Sequence, residues 1–103
     1  MQMPREKFQT LTEQMYYILL VLREECYGMD IMTRIQWMTN ERVMVGPGTL
    51  YNLLEQFEQA HMIRETKVEG RKRSYIITET GLEALQREYH RLNRMIFDYE
   101  SHT

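Results

Sequence analysis

The sequence predicts a mainly α fold with a small β-hairpin, laid out as a winged helix-turn-helix followed by a long C-terminal dimerisation helix. Three observations predict it. Apolar residues recur at helical spacing in three separate stretches before His61. Two short runs, Met62-Ile63-Arg64-Glu65-Thr66 and Ser74-Tyr75-Ile76-Ile77-Thr78, then bracket a charged turn, as the strands of a hairpin do. Finally Leu82, Leu85, Tyr89, Leu92, Ile96 and Tyr99 alternate spacings of three and four, the a/d pattern of a helix that packs along a narrow seam. At 103 residues the chain is about the length of one domain. Residues 1–78 are expected to form the winged-helix part with its N-terminal helix, and residues 79–103 the C-terminal helix, in one compact unit.

Each element has a local reason. Thr10-Leu11-Thr12-Glu13 has the form of a capping box, a hydroxyl at the N-cap with a carboxylate three residues on. Leu11, Met15, Ile18, Leu19 and Leu22 then share one helical face. Gly28 interrupts that pattern, and Asp30 stands in the first turn of a second helix, where the helix dipole favours an anion. Ile31, Met32, Ile35 and Met38 form its apolar stripe, and Met15, Met29, Met32 and Met38 are expected mainly in the core. After the polar break Thr39-Asn40-Glu41-Arg42 comes the sharpest punctuation, Gly46-Pro47-Gly48-Thr49. A proline between glycines makes a turn, and a helix can begin at once behind it. Leu50, Leu53, Leu54 and Phe57 give this third helix a compact apolar face, opposite Thr49, Tyr51, Asn52, Glu55 and Gln56.

Glu69-Gly70 is the expected turn of the hairpin. Thr80-Gly81-Leu82-Glu83 has the form of a second capping box. A helix from Glu79 to Glu100, at about 1.5 Å per residue, would be about 33 Å long. Such a rod outruns the core of so small a domain. Its narrow seam and charged flanks (Arg87, Glu88, Arg91, Arg94) fit a homodimer; packing of the seam onto the first helix of the same chain is the alternative, and part of it can serve both.

Composition narrows the function. The chain is 43% hydrophobic and 27% charged with a formal net charge of −2, which excludes a protein that is basic all over but not a local basic patch. The single Cys26 excludes an internal disulfide and suggests a reducing compartment, read as cytoplasmic. Met1-Gln2-Met3-Pro4-Arg5-Glu6-Lys7 has no apolar core of a signal peptide. The run from Tyr16 to Leu22 is far shorter than the roughly 18 residues of a membrane span. Cys26, His61, His90 and His102 are scattered without metal-ligand spacing, and Glu24 and Glu25 oppose a reactive thiolate at Cys26. No nucleophile elbow, phosphate loop or dinucleotide fingerprint is present. The expectation is a protein that is not an enzyme and holds no cofactor or metal.

The charge pattern is more specific. Between Arg64 and Arg73 stand five basic residues (Arg64, Lys67, Arg71, Lys72, Arg73) against Glu65 and Glu69. In an acidic chain this is a positive finger suited to DNA phosphates or a minor groove; a merely solvated hairpin is the plainer alternative. The neighbouring helix favours DNA. Its start at Pro47-Gly48-Thr49 would offer backbone N–H groups and short polar side chains, which both phosphates and base edges use. Asn52 suits an adenine edge, and Tyr51 a phosphate or a thymine methyl. Glu55 and Glu58 limit groove entry to the first two turns.

Several motifs together resemble the PadR family of bacterial transcriptional regulators. They are Tyr27-Gly28-Met29-Asp30-Ile31, Gly46-Pro47-Gly48-Thr49-Leu50-Tyr51, Gly70-Arg71-Lys72-Arg73-Ser74-Tyr75 and Ile77-Thr78-Glu79-Thr80-Gly81, spread from about Met15 to Leu85. The resemblance implies a winged-helix domain with a dimerising C-terminal helix, acting at promoters, usually as a repressor, and often answering to a small phenolic, aromatic or cationic compound. The single C-terminal helix is similar to the small-subunit branch. Thr49, Tyr51 and Asn52 match the exposed start of the family's recognition helix, Arg71, Lys72 and Arg73 match its wing, and Tyr27 lies where the second helix approaches the DNA backbone. One departure is visible: the family's wing commonly has a second Gly and a second Tyr, where this chain has Glu69 and Ile76.

The sequence therefore points to a homodimer that binds a palindromic operator in double-stranded DNA. An effector cleft is expected where the first helix meets the partner's last helix, with Phe8, Tyr16, Leu92 and Ile96 as its lining, open to a small aromatic or cationic compound. The alternative is a winged-helix protein–protein interaction module without DNA binding, which the acidic balance and Glu55 and Glu58 favour slightly.

Overall fold

The computed structural model describes residues 9–103. In chain order the elements are α1 (Glu13–Val21), β1 (Cys26–Tyr27), α2 (Gly28–Met38), α3 (Pro47–Gln59), β2 (Ile63–Glu69), β3 (Lys72–Ile77) and α4 (Glu79–Ser101). The strands form one antiparallel sheet in the order β1-β3-β2. This is the winged-helix arrangement, with the hairpin β2–β3 as the wing and α3 as the second helix of the helix-turn-helix.

The core lies where α1, α2 and α3 converge under the sheet. Ile18, Leu19 and Leu22 from α1 and its end, Ile31 and Ile35 from α2, and Leu50, Leu54 and Phe57 from α3 are fully buried. All four apolar positions expected on α3 are in the core. The α2 stripe is narrower than expected. Ile31 and Ile35 are buried and Met32 packs against the core, but Met29 and Met38 are exposed. Val43 and Val45 fill the gap between α2 and α3 instead.

The helix ends explain where the chain turns. The first cap is Thr12 rather than Thr10: its hydroxyl accepts the Met15 N–H at 3.1 Å, so Glu13 opens the helix and Leu11 precedes it as a buried residue. Pro47 occupies the first position of α3, where a missing N–H costs nothing. Both α2 and α3 end in a left-handed residue that returns the chain through paired backbone bonds. Asn40 (φ 56°) does this after α2, with Glu41 N–H on Gln36 O at 2.8 Å. His61 (φ 60°) does it after α3, with Met62 N–H on Phe57 O at 2.8 Å.

The hairpin is longer than the sequence suggested, and its register places Glu69 opposite Lys72. Gly70 and Arg71 are thus a two-residue turn with positive φ (63°) at Gly70, the arrangement in which the first central residue is glycine. A bulge between Glu65 and Lys67 interrupts the ladder at Thr66, whose hydroxyl donates to Glu25 at 2.6 Å. The two-residue β1 was not anticipated; it pairs Cys26 with Tyr75 and Tyr27 with Ser74.

Helix α4 begins as expected at Glu79, but its cap is Thr78 and not Thr80. The Thr78 hydroxyl donates to His61 O at 2.6 Å and accepts Gly81 N–H at 3.2 Å, while Thr78 N–H bonds Met62 O at 2.9 Å. Gly81 allows this junction: a Cβ there would lie 2.1 Å from the Met62 carbonyl oxygen. The face of α4 buried in its own chain is Gly81, Ala84, Leu85 and Glu88; Gly81 meets Met62 and Ile77, and the helix packs against α1 and β3. Leu85 of the expected dimer seam is therefore spent on the chain's own core, and Leu82 is half-buried against it. Beyond Glu88 the seam leaves the body, and Tyr89, Leu92, Ile96 and Tyr99 are exposed, Tyr99 at 72%.

Glu88 reverses an expectation. A carboxylate assigned to the solvated flank is 2% exposed. It accepts the Leu11 N–H at 3.1 Å and is held by the Arg91 guanidinium, whose Nε lies 3.1 Å away. The hydrogen bond from Arg91 pulls its pKa below the usual carboxylate value against the upward push of burial, and the Leu11 amide adds to the lowering. Glu88 thus fastens the start of α1 to α4. No helix among the described residues is long and apolar enough to cross a membrane.

Candidate nucleic-acid interface

The polar start of α3 and the wing emerge from the body with exposed hydrogen-bonding and cationic groups. Along α3 the periodicity that buries Leu50, Leu53, Leu54 and Phe57 turns Gly48, Thr49, Tyr51 and Asn52 outward. The first intrahelical bond there is Leu50 N–H to Gly46 O at 2.9 Å, so the amides of Gly48 and Thr49 point ahead of the helix without a partner among the described residues. A Cβ added at either glycine of the Gly46-Pro47-Gly48 turn would meet no described atom within 4 Å, so the entry to the helix stands open.

The wing cations differ from one another. Arg71, Lys72 and Lys67 are exposed and form no ion pair among the described residues. Arg73 is exposed but bound: its guanidinium lies 2.7 Å from Glu65 on the neighbouring strand, with Glu58 of α3 also close enough to interact. Burial raises the Glu58 carboxyl, Glu65 raises it further, and Arg73 offsets part of this. The triplet Arg71-Lys72-Arg73 therefore splits into two free cations and one neutralised by its own chain. Cross-strand pairing of Arg73 with Glu65 follows from the bulge at Thr66, which no composition or spacing reveals.

Three further contacts tie the wing to the helices. Tyr27, the N-cap residue of α2, pairs in register with Ser74 of β3, and the Lys72 ammonium stands 5.5 Å from the centre of the Tyr27 ring. Tyr51 leans from α3 over the start of α2, its hydroxyl 3.4 Å from where a Gly28 Cβ would be; Arg73 O is 3.6 Å from the same point. Burial raises the Tyr51 hydroxyl's pKa, and the nearby Tyr27 adds to it. Of the residues expected at DNA, Tyr27, Tyr51, Lys72 and Arg73 meet around Gly28, while Gly48, Thr49 and Asn52 are exposed along the start of α3 and Arg71 at the turn of the wing.

The expected effector residues are less tightly gathered. Phe8 lies outside the described residues. Tyr16 is half-buried and feels Tyr89, while Leu92 and Ile96 stand exposed further along α4. An open groove of about 1040 Å³ runs along α4 past Arg87, His90, Arg91 and Phe97, with Gln9 and Thr10 as its wall; Tyr16, Leu92 and Ile96 are not in it. Cys26 is buried, and burial raises its thiol pKa, as an inert core cysteine requires. No cluster of metal-binding side chains occurs among the described residues.

Comparison with known proteins gives a consistent picture. A family model described as "Transcriptional regulator PadR-like family" matches residues 18–87. A curated relative, an uncharacterised 37.1 kDa protein in a transposon of Streptomyces fradiae, is 30% identical over 82 residues, which are 80% of this chain and 23% of that one. The chain thus spans about a quarter of that relative's length. Among solved structures, a transcriptional regulator from Clostridium thermocellum superposes with a TM-score of 0.75 at 20% identity, over 91% of this chain and 99% of that one. A PadR family transcriptional regulator from Eggerthella lenta gives 0.68 at 20% identity, over 91% and 79%. RosR from H. salinarum gives 0.64 at 21% identity, over 90% and 96%. At these identities the solved structures establish the fold.

Proposed function

The chain belongs to the PadR-like family of transcriptional regulators, and from that premise we propose that it is a homodimeric, sequence-specific DNA-binding regulator, a repressor released by a small aromatic or drug-like effector. The observation that carries the reading is the exposed polar start of α3 beside a wing whose cations Arg71 and Lys72 form no ion pair among the described residues, the two joined through Tyr51, Gly28 and Tyr27 in an otherwise acidic molecule. The first two turns of α3 enter the major groove, where Asn52 reads an adenine edge and Thr49 and Tyr51 meet phosphate or a thymine methyl. The amides of Gly48 and Thr49 receive a phosphate at the helix N-terminus. The wing follows the backbone or the adjoining minor groove.

Dimerisation supplies the rest. The exposed length of α4 from Tyr89 to Tyr99, with Leu92 and Ile96 between, pairs with its counterpart, while Leu85 and Leu82 anchor each helix in its own body. Two-fold symmetry then calls for a palindromic operator with half-sites about one helical turn, roughly 10 bp, or a multiple of it apart. The effector enters where Tyr16 of one protomer meets Leu92 and Ile96 of the other, and changes the separation of the two recognition helices.

The decisive experiment is selection of bound duplexes from a random pool, followed by affinity against salt on the sequence that wins. A palindromic winner with steep salt dependence is the expected result. No enrichment, with weak binding lost near physiological salt, overturns the proposal and favours a protein-interaction module.

A further inference from the structure

We infer that Tyr27 is a positioning residue whose ring fixes the wing cation Lys72 and the recognition-helix side chain Tyr51 at a set spacing from one another. The inference rests on the DNA-binding reading above and says how that surface is held. Wing tips are long two-stranded ribbons with few packing partners, and this one is exposed from Lys67 to Arg73. A cation at such a tip would meet phosphate in many geometries and carry affinity without register. In this chain one wing cation, without a carboxylate partner among the described residues, is biased toward one place, because Lys72 stands over the Tyr27 ring at 5.5 Å.

Tyr27 is itself immobilised from two directions. It is the N-cap residue of α2, and its backbone pairs with Ser74 in the β1–β3 ladder. Strand β1 has only two residues, so its one structural effect is to stitch the start of α2 to the wing strand that carries Lys72 and Arg73. The next residue, Gly28, is buried and leaves room for Tyr51 to lie across the helix start, next to Arg73 O. α2, α3 and the wing therefore meet at Gly28, where Tyr51 and Arg73 O approach within 3.6 Å of its Cβ position and Tyr27 is the preceding residue. Arg73 completes the arrangement by pairing with Glu65 within the hairpin.

The physical consequence is separable from ordinary stability. Non-specific binding needs Lys72 only as a charge, whereas operator binding needs it at one distance from α3. Tyr27→Leu removes the ring that holds Lys72 and should lower affinity for the selected operator by about two- to fivefold per half-site, the size of an exposed cation–ring contact. Affinity for unrelated duplex should fall by less than operator affinity, so that the ratio of the two drops. Tyr27→Phe keeps the ring and should restore operator affinity. Gly28→Ala is accommodated, since its Cβ makes ordinary contacts of 3.4 Å and longer, whereas Gly28→Val should push Tyr51 aside and reproduce the Leu phenotype. All four proteins are compared by thermal melting so that a fold defect, which lowers both kinds of binding together, is recognised.

The inference is overturned if Tyr27→Leu leaves the ratio of operator to unrelated-duplex affinity unchanged. It is also overturned if Tyr27→Phe is as poor as Tyr27→Leu, because the hydroxyl would then be contacting DNA itself. A wild-type protein that binds no duplex removes the functional reading and this inference with it, whereas failure confined to the Tyr27 series removes this inference alone.

Discussion

The division of the wing cations into free and bound can be read as a salt slope. Removing one cation from a phosphate should flatten the plot of log affinity against log salt by about 0.9 on duplex DNA. Arg71 and Lys72 have no carboxylate partner among the described residues, so Arg71→Ala with Lys72→Ala should flatten it by about 1.8 per protomer, or about 3.6 for a dimer. Over a fourfold rise in salt, the double variant should then lose about a hundredfold less affinity than the wild type loses. Arg73 sits 2.7 Å from Glu65, and its charge is largely answered before DNA arrives. Arg73→Ala should therefore cost less than about 0.9 per protomer, and Glu65→Gln, which frees that guanidinium, should steepen the slope. Fluorescence anisotropy of a labelled operator over a salt series measures all four slopes. If Arg73→Ala flattens the slope by half as much as the double variant does, the assignment of free and bound cations is wrong. If the double variant leaves the slope unchanged, the wing is not part of the interface.

Other consequences follow from the helices. Glu88→Ala orphans the buried Leu11 amide and should destabilise the fold by about 1–3 kcal/mol in denaturant titration, with Glu88→Gln milder because its amide oxygen can still accept that bond. Since the Glu88 pKa is lowered on folding, its contribution is present above the unfolded carboxyl value of about 4.3 and is lost as pH falls through the folded value; wild type should lose more stability than Glu88→Gln in that acid range. Gly81→Ala places a Cβ 2.1 Å from Met62 O and must shift the α3–α4 junction, so its melting temperature should drop well below that of Glu88→Gln. Leu92→Asp introduces charge into the exposed seam and should sediment as a folded monomer with weakened operator binding; a variant that remains a dimer refutes the seam.

What could be read from the sequence depended on how each residue exerts its effect. Helix α3 was fully legible, because Pro47 and the glycines mark its start and four apolar residues mark its core face. The long heptad was legible as a pattern but not in its division of labour. Its first two turns pack through Gly81 and Ala84, small residues that admit close approach and carry almost no hydrophobic signal. Glu88 was misread for a related reason: a carboxylate counts as surface in any polarity pattern, and only the converging Leu11 amide and Arg91 make it an interior residue. Strand β1 gave no signal, since two residues have no alternation to detect and the pairing runs through the backbone. Residue type and spacing singled out the exposed polar start of α3 and the basic wing, but the pairing of Arg73 with Glu65 depends on a bulge that shifts register by one residue.

The junction at Thr78 also bears on operator architecture. One hydroxyl and two carbonyls bind the exit of α3 directly to the entry of α4, although the wing separates the two in sequence. In a dimer each reading head is then welded to its own half of the axle, and without effector the two heads face DNA at one separation and one angle, which change only when the halves of the axle shift against each other. Adding a base pair between half-sites rotates one of them by about 34–36° about the duplex axis, and a joint without slack has nothing with which to follow. Such a regulator behaves as a caliper: it tolerates substitutions in the spacer and rejects changes in its length.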